Sequence, residues 1–125
     1  MFARLMGLKT ISPGGLHQLM QIDPVTAIDV NPRQSWVTAR VPGALNLDPA
    51  GFEDGELPRD NHSTLVFYCS NFMCSKAPRA ARRAAAMGYR RVHVMSAGIK
   101  GWLDAALRTE SEEARAPRPQ SDRPN

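Results

Sequence analysis

The sequence predicts a single α/β domain in which a parallel β-sheet is covered by helices on both faces. Short apolar runs rich in branched and aromatic side chains alternate along the chain with helical patterns, as expected of strand–helix–strand units. The run at 65–68, Leu-Val-Phe-Tyr, has no polar alternation, which is typical of a strand buried on both faces. A chain of 125 residues accommodates one such domain.

The remaining elements are bounded by residues that begin and end helices. Ser12 followed by Pro13 predicts a helix start, and Gly88 predicts the end of an alanine-rich helix. In chain order, these elements are a helix over 13–21, a strand over 25–30, a helical turn over 33–38, a short strand entered by a turn over 41–47, a surface loop over 48–63 anchored by Phe52 and Leu57, a helix over 75–87, a strand over 91–95 and a helix over 99–107.

The two ends of the chain differ from the middle. After Arg108 the residues are Glu, Arg, Pro and Ser with almost nothing apolar, so we expect a domain over 1–108 and a disordered tail over 109–125. Arg4 and Lys9 interrupt the start of the chain, which lacks the apolar stretch of a secretory signal. No run approaches the roughly 18–20 apolar residues of a membrane span. We therefore expect a cytoplasmic protein without a membrane partner.

The net charge of +4 comes from one segment. Residues 76–91 contain six Lys and Arg residues and no acid. No aromatic platform or nucleic-acid motif accompanies them, so we expect no nucleic-acid partner. The segment is either a solvated helix face or an electropositive approach for an anionic substrate.

The chain has two cysteines, Cys69 and Cys74. Without a secretory signal, reduced and chemically active thiols are more plausible than a disulfide scaffold. A zinc site needs about four ligands, and the isolated His17, His62 and His93 do not complete one. We expect neither a metal nor a cofactor.

Cys69 directly follows the central strand, at the edge where ligands bind in parallel sheets. Pro78 is tolerated only in the first turn of a helix, and Ser75 is a suitable N-cap. Residues 69–74 must then form a tight loop whose N–H groups, with the positive helix end, would stabilise a thiolate or an anion. Alternatively, Cys69 is only a small buried apolar residue.

Four segments decide between these interpretations because, in this order, they resemble the signatures of the rhodanese-like domain family. They are Ile28-Asp29-Val30, Pro42-Gly43-Ala44-Leu45-Asn46, Leu65 to Cys69 with the following loop, alanine-rich helix and Gly88-Tyr89, and Ala97-Gly98-Ile99-x-Gly101-Trp102. The resemblance covers about residues 9–107. It implies a three-layer α/β fold with a central parallel five-stranded sheet flanked by helices.

The resemblance also implies a sulfurtransferase of the single-domain type. In that chemistry the Cys69 thiolate attacks the sulfane sulfur of a donor such as thiosulfate, sulfite leaves, and the persulfide passes its sulfur to a thiophile. The implied partners are a small sulfur donor or a protein persulfide donor, and a thiol or a protein acceptor. The implied anion-binding groups are the backbone N–H groups of Ser70, Asn71, Phe72, Met73, Cys74 and Ser75.

Three positions depart from the family pattern. Asn31 replaces a frequent arginine, Ala39-Arg40 replaces a frequent Gly-His, and Cys74 stands where many active members have arginine or serine. We expect Arg40 and Lys76 to supply part of the missing positive charge. Cys74 either fills the base of the loop or is a resolving thiol that forms a disulfide with Cys69.

Other functions remain open at this point. A cysteine phosphatase or arsenate reductase needs arginine six residues after the cysteine, where this chain has Ser75. A non-enzymatic binding module and a thiol redox sensor that uses both cysteines are the further alternatives. Phe72 and Met73 either line the pocket rim or dock a protein partner, whereas Asp29 and Trp102 are expected to be structural.

Overall fold

The computed structural model describes residues 8–112. It contains a parallel five-stranded sheet of order β1-β5-β4-β2-β3, so the strand with Cys69 at its end is central. The elements are β1 (Lys9–Thr10), α1 (Pro13–Ile22), β2 (Val25–Asp29), α2 (Arg33–Thr38), β3 (Leu45–Asn46), a short 3-10 helix (Asp54–Glu56), β4 (Thr64–Tyr68), α3 (Lys76–Ala86), β5 (Arg91–Val94) and α4 (Gly98–Asp104). The predicted fold class is confirmed.

Helices cover both faces of the sheet because β4 is buried at every position and is apolar from Leu65 to Tyr68. Leu65 and Phe67 face α3, and Val66 and Tyr68 face α1 and α4, so the two faces have separate cores. The α3 helix approaches the sheet closely because alanines form its buried side. Its buried alanines are Ala77, Ala80, Ala81 and Ala84.

The edge strands of the sheet are short, and the first of them was not predicted from the sequence. β1 has two exposed residues, and only its pairing with β5 identifies it as a strand. The turn and short strand predicted over 41–47 are both present: the Ala44 N–H closes the turn on the Val41 carbonyl at 3.0 Å, and the strand is Leu45–Asn46. The predicted loop anchors Phe52 and Leu57 are buried, at 1% and 5% exposure.

The segment after α4 continues in contact with the domain. Glu110 forms an isolated antiparallel bridge with Arg40, and its carboxylate accepts the Gly43 N–H at 2.9 Å. Residues 109–112, which we assigned to the tail, thus have defined contacts because Arg40 holds them. The rest of the predicted tail, residues 113–125, and residues 1–7 lie outside the described residues. Between residues 8 and 112 no helix is long and apolar enough to cross a membrane.

The central strand gives a first test of this packing. Phe67 is fully buried between β4 and α3, so Phe67→Ala is expected to lower the free energy of unfolding by about 3–5 kcal/mol. Leu103→Ala is the control, because that side chain is 50% exposed and its loss should cost less than about 0.5 kcal/mol. Urea unfolding measures both values, and equal costs would contradict the described core.

Candidate active site

Cys69 follows β4 at the carboxyl edge of the sheet, where its side chain continues the alternation of Leu65 and Phe67. It therefore points toward α3 and is only 3% exposed. The neighbouring strands fix this end of β4. The Val30 N–H donates to the Tyr68 carbonyl and the Met95 N–H donates to the Phe67 carbonyl, both at 2.9 Å.

The first turn of α4 holds the backbone just after β4. The Ile99 N–H donates to the Cys69 carbonyl at 2.9 Å, and the Lys100 N–H donates to the Ser70 carbonyl at 3.0 Å. Gly98 makes this approach possible, because a Cβ at this position would lie 2.6 Å from the Ser70 carbonyl carbon. Its φ of +69° is also a conformation that other residues rarely adopt. Gly98 thus fixes the start of the loop.

The middle of the loop is closed by Asn71. Its side-chain Oδ1 accepts the Met73 N–H at 2.9 Å, and its carbonyl accepts the Cys74 N–H at 3.1 Å. The carbonyls of three consecutive residues, Cys69 to Asn71, are therefore all bonded within the protein.

The N–H groups of the loop behave differently from its carbonyls. Among residues 8–112, five of those from Ser70 to Lys76 have no protein acceptor: the N–H groups of Ser70, Asn71, Phe72, Ser75 and Lys76. Unpaired backbone N–H groups in a tight turn at a helix N-terminus favour an anion. The loop is thus able to donate hydrogen bonds around Cys69.

Cys74 faces Cys69 across this loop. The two side chains are paired as a disulfide, and their Cα atoms are 6.5 Å apart, within the usual range of about 4.4–6.8 Å. Cys74 also packs, partly buried, against the core on the α3 side. The filling role and the pairing with Cys69 that we considered separately are therefore both compatible with its position.

The α3 helix begins at Lys76, and Pro78 occupies its first turn as predicted. Ser75 is at the N-cap position, but its backbone is helical, with φ −98° and ψ 0°, and its hydroxyl makes no capping bond. The extended conformation that directs a capping side chain back to the helix is missing. The Ser75 carbonyl accepts the Arg79 N–H at 3.2 Å instead.

The two predicted cationic supports have different surroundings. Arg40 is 3% exposed, lies 4.0 Å over the Trp36 ring, and forms ion pairs with Glu110 at 3.7 Å and Glu112 at 3.4 Å. The two carboxylates balance the charge of Arg40, and its guanidinium packs on the Trp36 ring. Its electrostatic role at the loop stays a prediction.

Lys76, by contrast, is exposed and borders a cleft of about 390 Å³ at the carboxyl edge of the sheet. Residues at and after the ends of β2 and β3 form the other walls, among them Asn31, Arg33 and Asn46. Asn46 is held in place because its amide donates to the carbonyls of Asp29 and Asn31 at 3.0 and 2.9 Å. Arg33 and Asn46 could not be assigned to a site from the sequence, since they become neighbours only through strand pairing.

Asp29 ends β2 in a fully buried position. Burial raises the pKa of its carboxyl, although the Asn31 N–H donates to Oδ1 at 2.8 Å and opposes the shift. Burial likewise raises the pKa of the Tyr68 hydroxyl, which accepts the Val41 N–H at 3.0 Å. These contacts join β2, β4 and the turn before β3, in keeping with the structural role expected of Asp29.

Comparisons with known proteins agree with this fold. The site belongs to an α/β domain that presents a cysteine loop at the carboxyl edge of a parallel sheet. The family model of the rhodanese-like domain matches residues 12–105 of the sequence, and the chain belongs to that family.

The similar proteins include a transcriptional regulator and a sulfurtransferase. The HTH-type transcriptional regulator Rv0324 of Mycobacterium tuberculosis is 32% identical over 83 residues, which cover 66% of this chain and 36% of that protein. The human thiosulfate:glutathione sulfurtransferase is 25% identical over 114 residues, covering 80% of this chain and 97% of that protein. The BH2092 protein of Bacillus halodurans has the same fold, with a TM-score of 0.77 and 19% identity over 93% of this chain and 88% of that one.

The chain is shorter than some of its relatives. It spans 36% of the length of the mycobacterial regulator and 55% of an uncharacterized Synechocystis protein. Within residues 8–112 no group of three or more His, Cys, Asp or Glu side chains is arranged to hold a metal ion.

The close approach of Gly98 to the Ser70 backbone predicts that one added methyl group lowers the stability of the fold. Gly98→Ala is expected to lower the free energy of unfolding by at least about 2 kcal/mol, because the positive φ alone costs about 1–3 kcal/mol. Gly14→Ala is the matched control, since its Cβ would meet nothing within 4 Å and it should be neutral or stabilise by up to about 1 kcal/mol. Urea unfolding compares them, and a tolerated Gly98→Ala would contradict the contact.

The raised pKa of the buried Asp29 carboxyl predicts that the stability of the fold depends on pH. Since the folded pKa of Asp29 is raised above its ordinary value of 3.8, this group favours the folded state fully below that pH. Its contribution is lost as the pH rises through the folded pKa. Asp29→Asn removes the titration, so the stability of the variant relative to the original protein should increase from pH 4 to pH 7. Urea unfolding across this range measures the difference, and a constant or falling difference would contradict it.

Proposed function

We propose that this domain is a sulfurtransferase that moves sulfane sulfur from a donor such as thiosulfate to a thiophilic acceptor through a persulfide on Cys69. The observation that supports the proposal is the position of Cys69 at the end of β4, beside a loop whose N–H groups at Ser70, Asn71, Phe72, Ser75 and Lys76 have no acceptor among residues 8–112.

The first half-reaction would use the loop as an anion site. The Cys69 thiolate attacks the sulfane sulfur of thiosulfate, a new S–S bond forms, and sulfite leaves with the electron pair of the bond that breaks. The loop N–H groups would donate hydrogen bonds to the anionic donor and then to the terminal sulfur of the persulfide. The adjacent N-terminus of α3 favours the same negative charge.

In the second half-reaction an acceptor thiolate attacks the terminal sulfur and restores the Cys69 thiolate. The acceptor is a small thiol or a protein. Two apolar side chains at the loop tip, Phe72 and Met73, are 57% and 60% exposed, and they would contact a protein acceptor if one is used. The human relative, named for thiosulfate and glutathione, supports a small anionic donor and a thiol acceptor.

The alternative functions differ in what they require of Cys69, Cys74 and Ser75. A thiol redox sensor is favoured by the pairing of Cys69 with Cys74, since oxidation would close the thiol to any donor. A binding module without chemistry does not require Cys69. A phosphatase would lack the arginine that clamps an oxyanion, because Ser75 occupies that position.

Substitution of the nucleophile tests the proposal. Cys69→Ser is expected to reduce thiocyanate formation from thiosulfate and cyanide to the rate without protein, because the hydroxyl cannot form a persulfide. Ser35→Ala on exposed α2 is the control and should keep the rate of the original protein.

Intact mass identifies the intermediate directly. Reduced Cys74→Ser, which has no second thiol that could displace the sulfur, should gain one sulfur atom that a reducing agent removes, and Cys69→Ser should gain none. A Cys74→Ser variant that gains no sulfur from thiosulfate, mercaptopyruvate or a cysteine-desulfurase persulfide would contradict a sulfurtransferase. A slowly alkylated Cys69 without sulfur loading would favour a binding module instead.

A further inference from the structure

The second cysteine gives the loop a chemical route that transfer to an external acceptor does not need. We propose, on the basis of the proposed function, that Cys74 displaces the outer sulfur of the Cys69 persulfide. The domain then releases hydrosulfide and retains a Cys69–Cys74 disulfide, which a dithiol reductant must reopen before the next cycle.

The geometry brings the attacking and attacked sulfur atoms together. The side chains of Cys69 and Cys74 are paired across the loop with their Cα atoms 6.5 Å apart. Both backbones are fixed independently of that pairing, because α4 binds the Cys69 carbonyl and the Asn71 carbonyl accepts the Cys74 N–H. The backbones of the two cysteines are thus each held by a hydrogen bond other than the disulfide.

The charges near Cys74 favour its anionic form. Cys74 comes just before the N-terminus of the 11-residue helix α3, and Lys76 follows two residues later. A helix N-terminus and a neighbouring cation both favour a thiolate over a thiol. The partly exposed position of Cys74 also gives a reductant access to the disulfide.

The reaction is balanced without an external oxidant. The Cys74 thiolate attacks Cys69 Sγ, the bond between Cys69 Sγ and the outer sulfur breaks, and the outer sulfur leaves with the electron pair and takes up a proton as hydrosulfide. The outer sulfur is reduced by two electrons, and the two cysteine sulfurs are oxidised to a disulfide. A dithiol then reduces this disulfide and becomes a disulfide itself.

Proximity makes this route competitive with an external thiol. Two groups joined by a short stretch of chain meet at an effective concentration that is at least millimolar and far higher when they are well oriented. Cellular thiol acceptors must reach Cys69 through a loop that leaves it only 3% exposed. The internal thiol is already in contact with it.

A single-turnover experiment without external thiol tests the inference. Reduced protein is freed of reductant under anaerobic conditions, loaded with thiosulfate, desalted, and followed by intact mass and by assay of free hydrosulfide. The original protein is expected to lose the added sulfur, to release one equivalent of hydrosulfide, and to end two hydrogens lighter than the reduced chain. Cys74→Ser and Cys74→Ala are expected to keep the added sulfur and to release none.

Dilution separates the internal route from a reaction between two molecules. Release of hydrosulfide should be first order, so a tenfold dilution of the loaded protein should leave its half-time unchanged. A half-time that lengthens tenfold would overturn the inference.

The remaining outcomes distinguish the two proposals. If the original protein keeps its added sulfur as long as Cys74→Ser does, the inference is overturned and the sulfurtransferase stands. If neither the original protein nor the variants gain sulfur, the sulfurtransferase itself is overturned, and the inference with it. A disulfide that forms without hydrosulfide would reveal ordinary oxidation and would also overturn the inference.

Discussion

The close contact between the first turn of α4 and the backbone of Cys69 and Ser70 determines the rest of the site. Two hydrogen bonds from α4 fix both carbonyls, and only a glycine at position 98 lets the chains approach within this distance. Because those carbonyls are bonded toward α4, the following N–H groups remain available on the other side of the loop. The orientation that could bind an anion thus results from a helix distant in sequence.

Much of the fold could be predicted from the sequence because its cause is local. The unbroken apolar run of β4 required cover on both faces, and Pro78 limited where α3 could begin. β1 could not be identified, because two exposed residues form a strand only by pairing with β5. For the same reason, the cleft beside Lys76 depends on β2–β3 pairing that no sequence pattern specifies.

The position of Arg40 could be predicted from the sequence, but the contacts of its side chain could not. The sequence indicates a cation near the Pro-Gly turn but gives no information on its neighbours. In the structure the guanidinium lies over Trp36 and is paired with Glu110 and Glu112, which come from the segment after α4. A buried charge needs such partners, because leaving it alone would be far more costly than exposing it. Those carboxylates explain why residues 109–112 follow the domain surface.

The two cysteines give the loop chemical states that exclude each other, because Cys69 Sγ can bond to only one other sulfur at a time. Cys69 Sγ can be a free thiolate, or it can hold either a terminal sulfur or Cys74 Sγ, so no molecule is a sulfur carrier and a disulfide at the same time. Conversion of the carrier into the disulfide releases hydrosulfide, whereas the return needs two electrons from a reductant. The balance between external acceptor and reductant would then decide whether the same loop acts as a transferase or as a source of hydrosulfide. That choice depends on Cys74, at the position where the family often has arginine or serine.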